Sequence, residues 1–156
     1  MSKYTAKVIW SLSQGESFLD NTYSRGHRWQ FDGGIEVMAS SSPQVVPIPY
    51  SVSEYVDPEE AFVASVSSCH MLWFLALASK AGLEISAYHD HAQGVMANNQ
   101  AGKLAMTEIT LFPEVKFADH TTPSQQQLDA LHEKAHSQCF IANSILTEVR
   151  VVSTLT

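Results

Sequence analysis

Residues 4–10 alternate apolar and polar side chains with the period of two that a half-buried strand requires, and residues 28–39 do so on both sides of Asp32-Gly33-Gly34. The second stretch predicts a hairpin with Trp29, Phe31, Ile35 and Val37 on one side. Residues 40–50 set Pro43, Pro47 and Pro49 among serines, which no regular helix or central strand accommodates. A long loop is expected there, and such loops inside compact domains often carry function. Asp57 then offers a capping carboxylate, Pro58 suits the first helical position, and Glu59 and Glu60 complement the positive helix end. These signals predict a helix reaching about Gly82. Its apolar residues lie all round instead of along one stripe, so it is expected to be buried, under a sheet or against another copy of itself.

Residues 84–96 and 103–117 read as strands separated by a turn at Asn98-Asn99-Gln100-Ala101-Gly102, with Pro113 marking an edge or bulge. Thr122-Pro123-Ser124-Gln125 has the form of a Thr-x-x-Gln capping box with proline at the first position, which predicts a second helix to about Gln138. Leu128, Leu131 and Ala135 form its apolar face, Cys139 falls where it ends, and residues 148–154 alternate as a last strand. The order of strands, buried helix, strands, amphipathic helix and strand predicts an α+β fold with a mainly antiparallel sheet.

A length of 156 residues suits one domain, expected to span 1–156, and no internal repeat is visible. The formal net charge of −7, with only nine Lys and Arg spread thinly, argues against nucleic acid or an anionic membrane surface as partner. The first residues hold no apolar core or cleavage pattern of a signal peptide, so a cytoplasmic location is the expectation. In such a reducing compartment, two cysteines that pair do so transiently and catalytically more often than as a structural staple. Residues 61–78 carry no charge and meet the minimum length of a membrane span. Three serines, Cys69 and His70 inside that run, with Glu59 and Glu60 before it and Lys80 after, argue for a protein interior instead.

Candidate chemistry rests on histidines and cysteines. His132-Glu133-Lys134-Ala135-His136 matches His-Glu-x-x-His, but so short a pattern arises often by chance, and a working zinc site needs a third ligand and a cleft. A polar face on an amphipathic helix is the favoured reading. His89 and His91 share a strand face and fit an exposed polar edge better than a metal site. His70 points about 100° away from Cys69 on a helix, so the two are no Cys-His dyad. Composition alone favours an inert core role for Cys69, since free cysteine is among the most buried residue types. Reactivity requires a thiolate and a cation to hold it, and Cys69 lies too far into its helix for the dipole to serve. Arg25 and Arg28 are the candidate cations.

The run Asp57-Pro58-Glu59-Glu60-Ala61-Phe62-Val63-Ala64-Ser65-Val66-Ser67-Ser68-Cys69 resembles the central helix of the OsmC/Ohr family, the osmotically inducible protein C and organic hydroperoxide resistance proteins. That family has an Asn-Pro-Glu-x-Leu type opening with a cysteine ten residues after the glutamate, the spacing of Glu59 and Cys69. Ala135-His136-Ser137-Gln138-Cys139 is similar to its second cysteine segment, and Ser24-Arg25-Gly26 to its arginine before a hairpin. Proline often follows the second cysteine where Phe140 stands here, and an aromatic the first where His70-Met71 stand; these departures leave the subfamily, substrate size and reductant open.

The resemblance implies thiol-dependent reduction of organic hydroperoxides in an OsmC-like fold. Cys69 would attack and become sulfenic acid, Cys139 would close a disulfide with it, Arg25 would hold the thiolate and Glu59 would orient the guanidinium. An external thiol, a small thiol or a dithiol such as a lipoyl group, would reduce the disulfide, with no metal or bound organic cofactor required. Ten residues of straight helix separate Glu59 from Cys69 by roughly 15 Å. Either the helix breaks between them, or Glu59 and Arg25 serve the Cys69 of a second copy in an intertwined homodimer. A non-enzymatic ligand- or metal-binding stress protein using His70, His89, His91 or His136, and a structural dimer module, are the competing readings.

Overall fold

The computed structural model describes residues 1–120 and 123–154. Two compact units divide the chain, Met1–Ala61 and Phe62–Thr156. In the first, β1 (Ala6–Ile9), β2 (His27–Phe31) and β3 (Glu36–Ala39) form an antiparallel sheet in that order, with Val8 opposite Trp29 and Trp29 opposite Val37. The β2–β3 hairpin turns at Asp32-Gly33-Gly34, where Gly34 takes a φ of +84° that glycine adopts without strain. The proline-rich stretch after β3 has no regular element, as its composition requires. Its end is pinned to the sheet: Ser40 N–H donates to the Val56 carbonyl, and Val52 N–H donates to the Ser40 hydroxyl, each at 3.0 Å.

Helix α1 runs from Pro58 to Lys80 without a break. Asp57 caps it as expected, with Glu60 N–H donating to its carboxylate at 2.7 Å, and Glu60 returns the contact by accepting from Asp57 N–H at 3.4 Å. Gly82, at φ +74°, ends it, and Leu83 N–H closes back onto the Ala78 carbonyl. The expected burial on every side is not what one chain provides. Only Val66, His70, Phe74 and Ala78 are buried, while Leu72 on another face remains 63% exposed. One chain buries a single line along this helix fully and covers flanking residues such as Phe62, Val63, Trp73 and Leu77 in part, while Leu72 is left open.

In the second unit β4 (Ile85–Asp90) pairs with β7 (Pro113–Phe117), and β5 (Gln93–Asn98) pairs with β6 (Leu104–Leu111), both antiparallel. Each of the two predicted strands is therefore two. Asp90 opposite Pro113 and Gln93 opposite Thr110 keep one register across the gap, so the four strands are one long hairpin interrupted in the middle. Pro113 has no N–H for the ladder, and the Asp90 carboxylate takes Phe112 N–H at 2.7 Å where a strand partner is missing. The same carboxylate accepts the Ser67 hydroxyl of α1. The tight turn at Asn99 and Gly102 closes the far end, with Asn99 Oδ1 accepting the N–H groups of Ala101 and Lys103. β8 (Glu148–Val151) adds to β6 in parallel, as does an isolated bridge between Ala39 and Val56 in the first unit; the other described pairings are antiparallel.

Helix α2 spans Gln125–Gln138. The cap expected at Thr122 lies outside the described residues, and the helix that forms is capped two residues later. Ser124 accepts Gln127 N–H at 3.2 Å, and the Gln127 side chain accepts Ser124 N–H at 2.8 Å. Its buried side chains are Leu128, His132 and Ala135, with Leu131 partly covered. Two apolar clusters meet the α1 line: Val66 with Ile109 and Leu111, and Phe74 and Ala78 with Val115, Leu128 and Ala135. His70 lies between them in sequence, the polar member of an apolar series.

Gly94 marks where β5 comes closest to the second unit's core. A methyl group there would stand 2.7 Å from Val63 Cγ2 and 2.5 Å from Met106 Sδ. Met106 can turn aside, but the β-branched Val63 on a helix has little freedom. Gly94→Ala is expected to cost about 1–3 kcal/mol by overpacking, read as a lowered midpoint in urea at unchanged slope.

Candidate active site

The second unit brings the two cysteines together. Cys69 projects half-buried from the middle of α1, and Cys139 is fully buried at the C-cap of α2; both thiols are free. The Cys69 side chain is near enough to Cys139 to act on its thiol. Cys139 sulfur also accepts Ala142 N–H at 3.4 Å, from the short 3₁₀ turn Ala142–Ser144 that follows the helix. Burial pushes the Cys139 thiol up to about 11, the nearby Cys69 adds to this, and the amides of Ala142 and Ile141 pull the other way. Beside the pair, Trp73 meets Phe140 edge to face at 5.5 Å, giving the thiols an apolar flank.

Arg25 is held within the first unit. Its guanidinium donates to the Asn21 and Tyr23 carbonyls and to the Asn21 side chain, and its Cζ lies 3.9 Å from the centre of the Tyr23 ring. Asn21 reaches this position with a φ of 60°, an αL conformation that asparagine tolerates. Glu59 is not its partner within the chain: one Glu59 carboxylate oxygen is buried without a hydrogen bond, and no described ion pair joins it to Arg25. Arg28 is engaged with Glu36 across the β2–β3 hairpin at 3.6 Å, on an exposed face. Because α1 is continuous, a break between Glu59 and Cys69 is not what reconciles their spacing.

His132 departs from the sequence expectation, whereas His89 and His91 do not. His89 and His91 are exposed at the interruption of the long hairpin. His132 belongs to the buried face of α2, not its polar face. Its ring packs on Phe74 with centroids 4.2 Å apart, and its Nδ1 lies 2.9 Å from Nε2 of His70. The zinc-like motif is therefore split, with His132 committed to α1 and Glu133 exposed. Among the described residues no three His, Cys, Asp or Glu side chains converge as metal ligands. This pair was readable only as an irregularity: each histidine occupies a place where four-residue spacing calls for an apolar side chain.

A family model described as OsmC-like protein matches residues 52–154, two thirds of the sequence, and the chain belongs to the OsmC-like family. The structure is similar over 99% of its length, at 49% identity and a TM-score of 0.97, to the whole of an OsmC-like protein of unknown function from Vibrio cholerae. It shares its fold with an organic hydroperoxide resistance protein OsmC from Legionella pneumophila, at 14% identity, a TM-score of 0.70, and 99% and 100% of the two chains covered. The organic hydroperoxide resistance protein OhrB of Bacillus subtilis is a further fold relative, at 17% identity, a TM-score of 0.63, and 97% and 98% covered. No curated protein sequence matches the chain.

Proposed function

We propose that this protein is a cysteine-based peroxidase that reduces organic hydroperoxides to alcohols, in a reducing compartment such as the cytoplasm. The observation that carries the reading is the proximity of Cys69 to Cys139, two free thiols in the same compact unit. The Cys69 thiolate attacks the terminal peroxide oxygen, the O–O bond breaks, and the departing alkoxide takes a proton to leave as an alcohol. Cys69 is then a sulfenic acid. The Cys139 thiol condenses with it, forming the S–S bond and releasing water. An external dithiol such as a lipoyl group, or a small thiol, reduces the bond by two exchange steps. The raised Cys139 thiol fits the second role, since a group held protonated at neutral pH is a poor first nucleophile. The names of the Legionella and Bacillus fold relatives point to the same substrate class.

Arg25 and Glu59 complete the proposal in an intertwined homodimer. A cation has to hold the Cys69 thiolate, α1 is unbroken, and the buried Glu59 oxygen lacks a partner within the chain. We assign Arg25, oriented by Glu59, to the Cys69 of a second copy, with the open apolar faces of α1 meeting across the dimer axis. Full peroxidase activity in a monomer at high dilution refutes this arrangement.

Intact mass after one equivalent of an organic hydroperoxide tests the chemistry most directly. Loss of two hydrogens without crosslinking of chains is the expected result. Thiols that remain free under that treatment overturn the peroxidase reading.

A further inference from the structure

The only described side-chain hydrogen bond that joins α1 to α2 is His70 to His132. The rings lie within 7° of parallel with centroids 5.2 Å apart, and Nε2 of one is 2.9 Å from Nδ1 of the other. The centroid separation is close to that N···N distance plus the two ring radii, so the imidazoles meet edge to edge in a common plane. One nitrogen donates and the other accepts, the alignment a directional contact requires.

Stability alone does not account for the pair. The outer nitrogens, Nδ1 of His70 and Nε2 of His132, are buried and have no partner. Two apolar side chains of similar shape would leave no such groups unsatisfied. What a hydrogen bond supplies, and two leucines do not, is direction.

Direction matters because of how the helices meet. On α1 the polar and aromatic contacts come from Cys69, His70, Trp73 and Phe74, beside an apolar cluster in which Phe74 and Ala78 join Leu128 and Ala135 of α2. On α2 and just beyond it they come from His132, Cys139 and Phe140, spread over about 10 Å of helix. α2 is thus held to α1 by apolar packing on either side of one directional polar contact, with the cysteine at its C-terminal end. Apolar contacts tolerate a pivot about such a contact, whereas a disulfide demands sulfurs about 2 Å apart.

We propose that the His70–His132 hydrogen bond is the positioning contact that sets the seat of α2 on α1 so that Cys139 meets Cys69. The inference rests on the dithiol reading above. His70 and His132 are positioning residues: they touch neither substrate nor sulfur in the reaction, and they act on how readily the disulfide closes.

The test is the equilibrium of the full-length protein with dithiothreitol, in which protein dithiol plus oxidised dithiothreitol gives protein disulfide plus reduced dithiothreitol. Alkylation and mass analysis give the fraction of disulfide. His132→Leu is expected to lower the equilibrium constant about tenfold or more, with helical circular dichroism retained. His132→Asn places a hydrogen-bonding atom where Nδ1 stands and is expected to recover most of the loss; His132→Gln, with that atom one bond further out, is not. A disulfide as stable in His132→Leu as in wild type overturns the inference and leaves the peroxidase reading standing. If His132→Leu fails to fold, equal constants for the Asn and Gln variants overturn it. Wild-type protein that closes no Cys69–Cys139 bond at all sinks the peroxidase reading itself, and the inference with it.

Discussion

Cys69→Ser removes hydroperoxide turnover by a factor on the order of 10³ or more, because a serine hydroxyl at neutral pH supplies almost none of the nucleophile that a thiolate does. Cys139→Ser has a different signature. A first equivalent of hydroperoxide is consumed at nearly the wild-type rate, turnover then stops, and Cys69 accumulates as sulfenic and then sulfinic acid. Rapid-mixing measurement of alcohol release, with mass analysis of the protein, separates the two. A Cys69→Ser variant with ordinary turnover refutes the assignment. The raised Cys139 thiol gives the closing step its own pH dependence: with about 11 as its value, the thiolate fraction climbs about tenfold per pH unit from 7 to 9. Disulfide closure is expected to accelerate accordingly wherever the thiolate is the attacking form. A closing rate that is flat across that interval contradicts it.

Acid destabilises this fold through His70 and His132 over a window set by their shifts. Burial lowers His70 from 6.5 to about 3, helped by neighbouring His132 and His136, and burial lowers His132 to about 4 against an opposing pull from Asp129. Both folded values lie below the unfolded value, so the unfolded chain binds more protons between them. The pair's contribution is thus whole above about pH 6.5 and is lost as pH falls from there through about 4 to about 3. The loss grows as pH falls through that window, since each ring has to be charged in a buried place and the second proton must sit beside a cation. Urea midpoints at pH 7, 5.5 and 4.5 measure it. The double variant His70→Leu with His132→Leu should show a much shallower decline, and one as steep as wild type would assign the acid sensitivity to carboxylates instead.

Periodicity and end signals made most of the architecture legible. The β2–β3 hairpin, the Asp57-Pro58 helix start, the stop at Gly82 and the Asn99-Gly102 turn each depend on a local preference that acts within a few residues. What escaped depends on groups far apart in sequence. The long hairpin looks continuous in its alternation, and only the Asp90 carboxylate reaching Phe112 shows where it is interrupted. The pattern of α1 describes a helix apolar on all sides, yet one chain buries only a single line of it fully. Two thiols seventy residues apart acquire a relation only through the packing of α1 and α2, and the same packing turns His132 from a polar-face residue into a core one.

The buried series Val66, His70, Phe74 and Ala78 advances by four residues at each step, whereas a helical turn takes 3.6. Each step therefore turns about 40° further round the axis, and the whole series winds through about 120°. α1 is gripped along an oblique thread, as a screw is by its nut. It cannot advance along its axis without rotating, nor rotate without advancing, so the height of the Cys69 sulfur and the bearing on which it faces Cys139 are one mechanical variable.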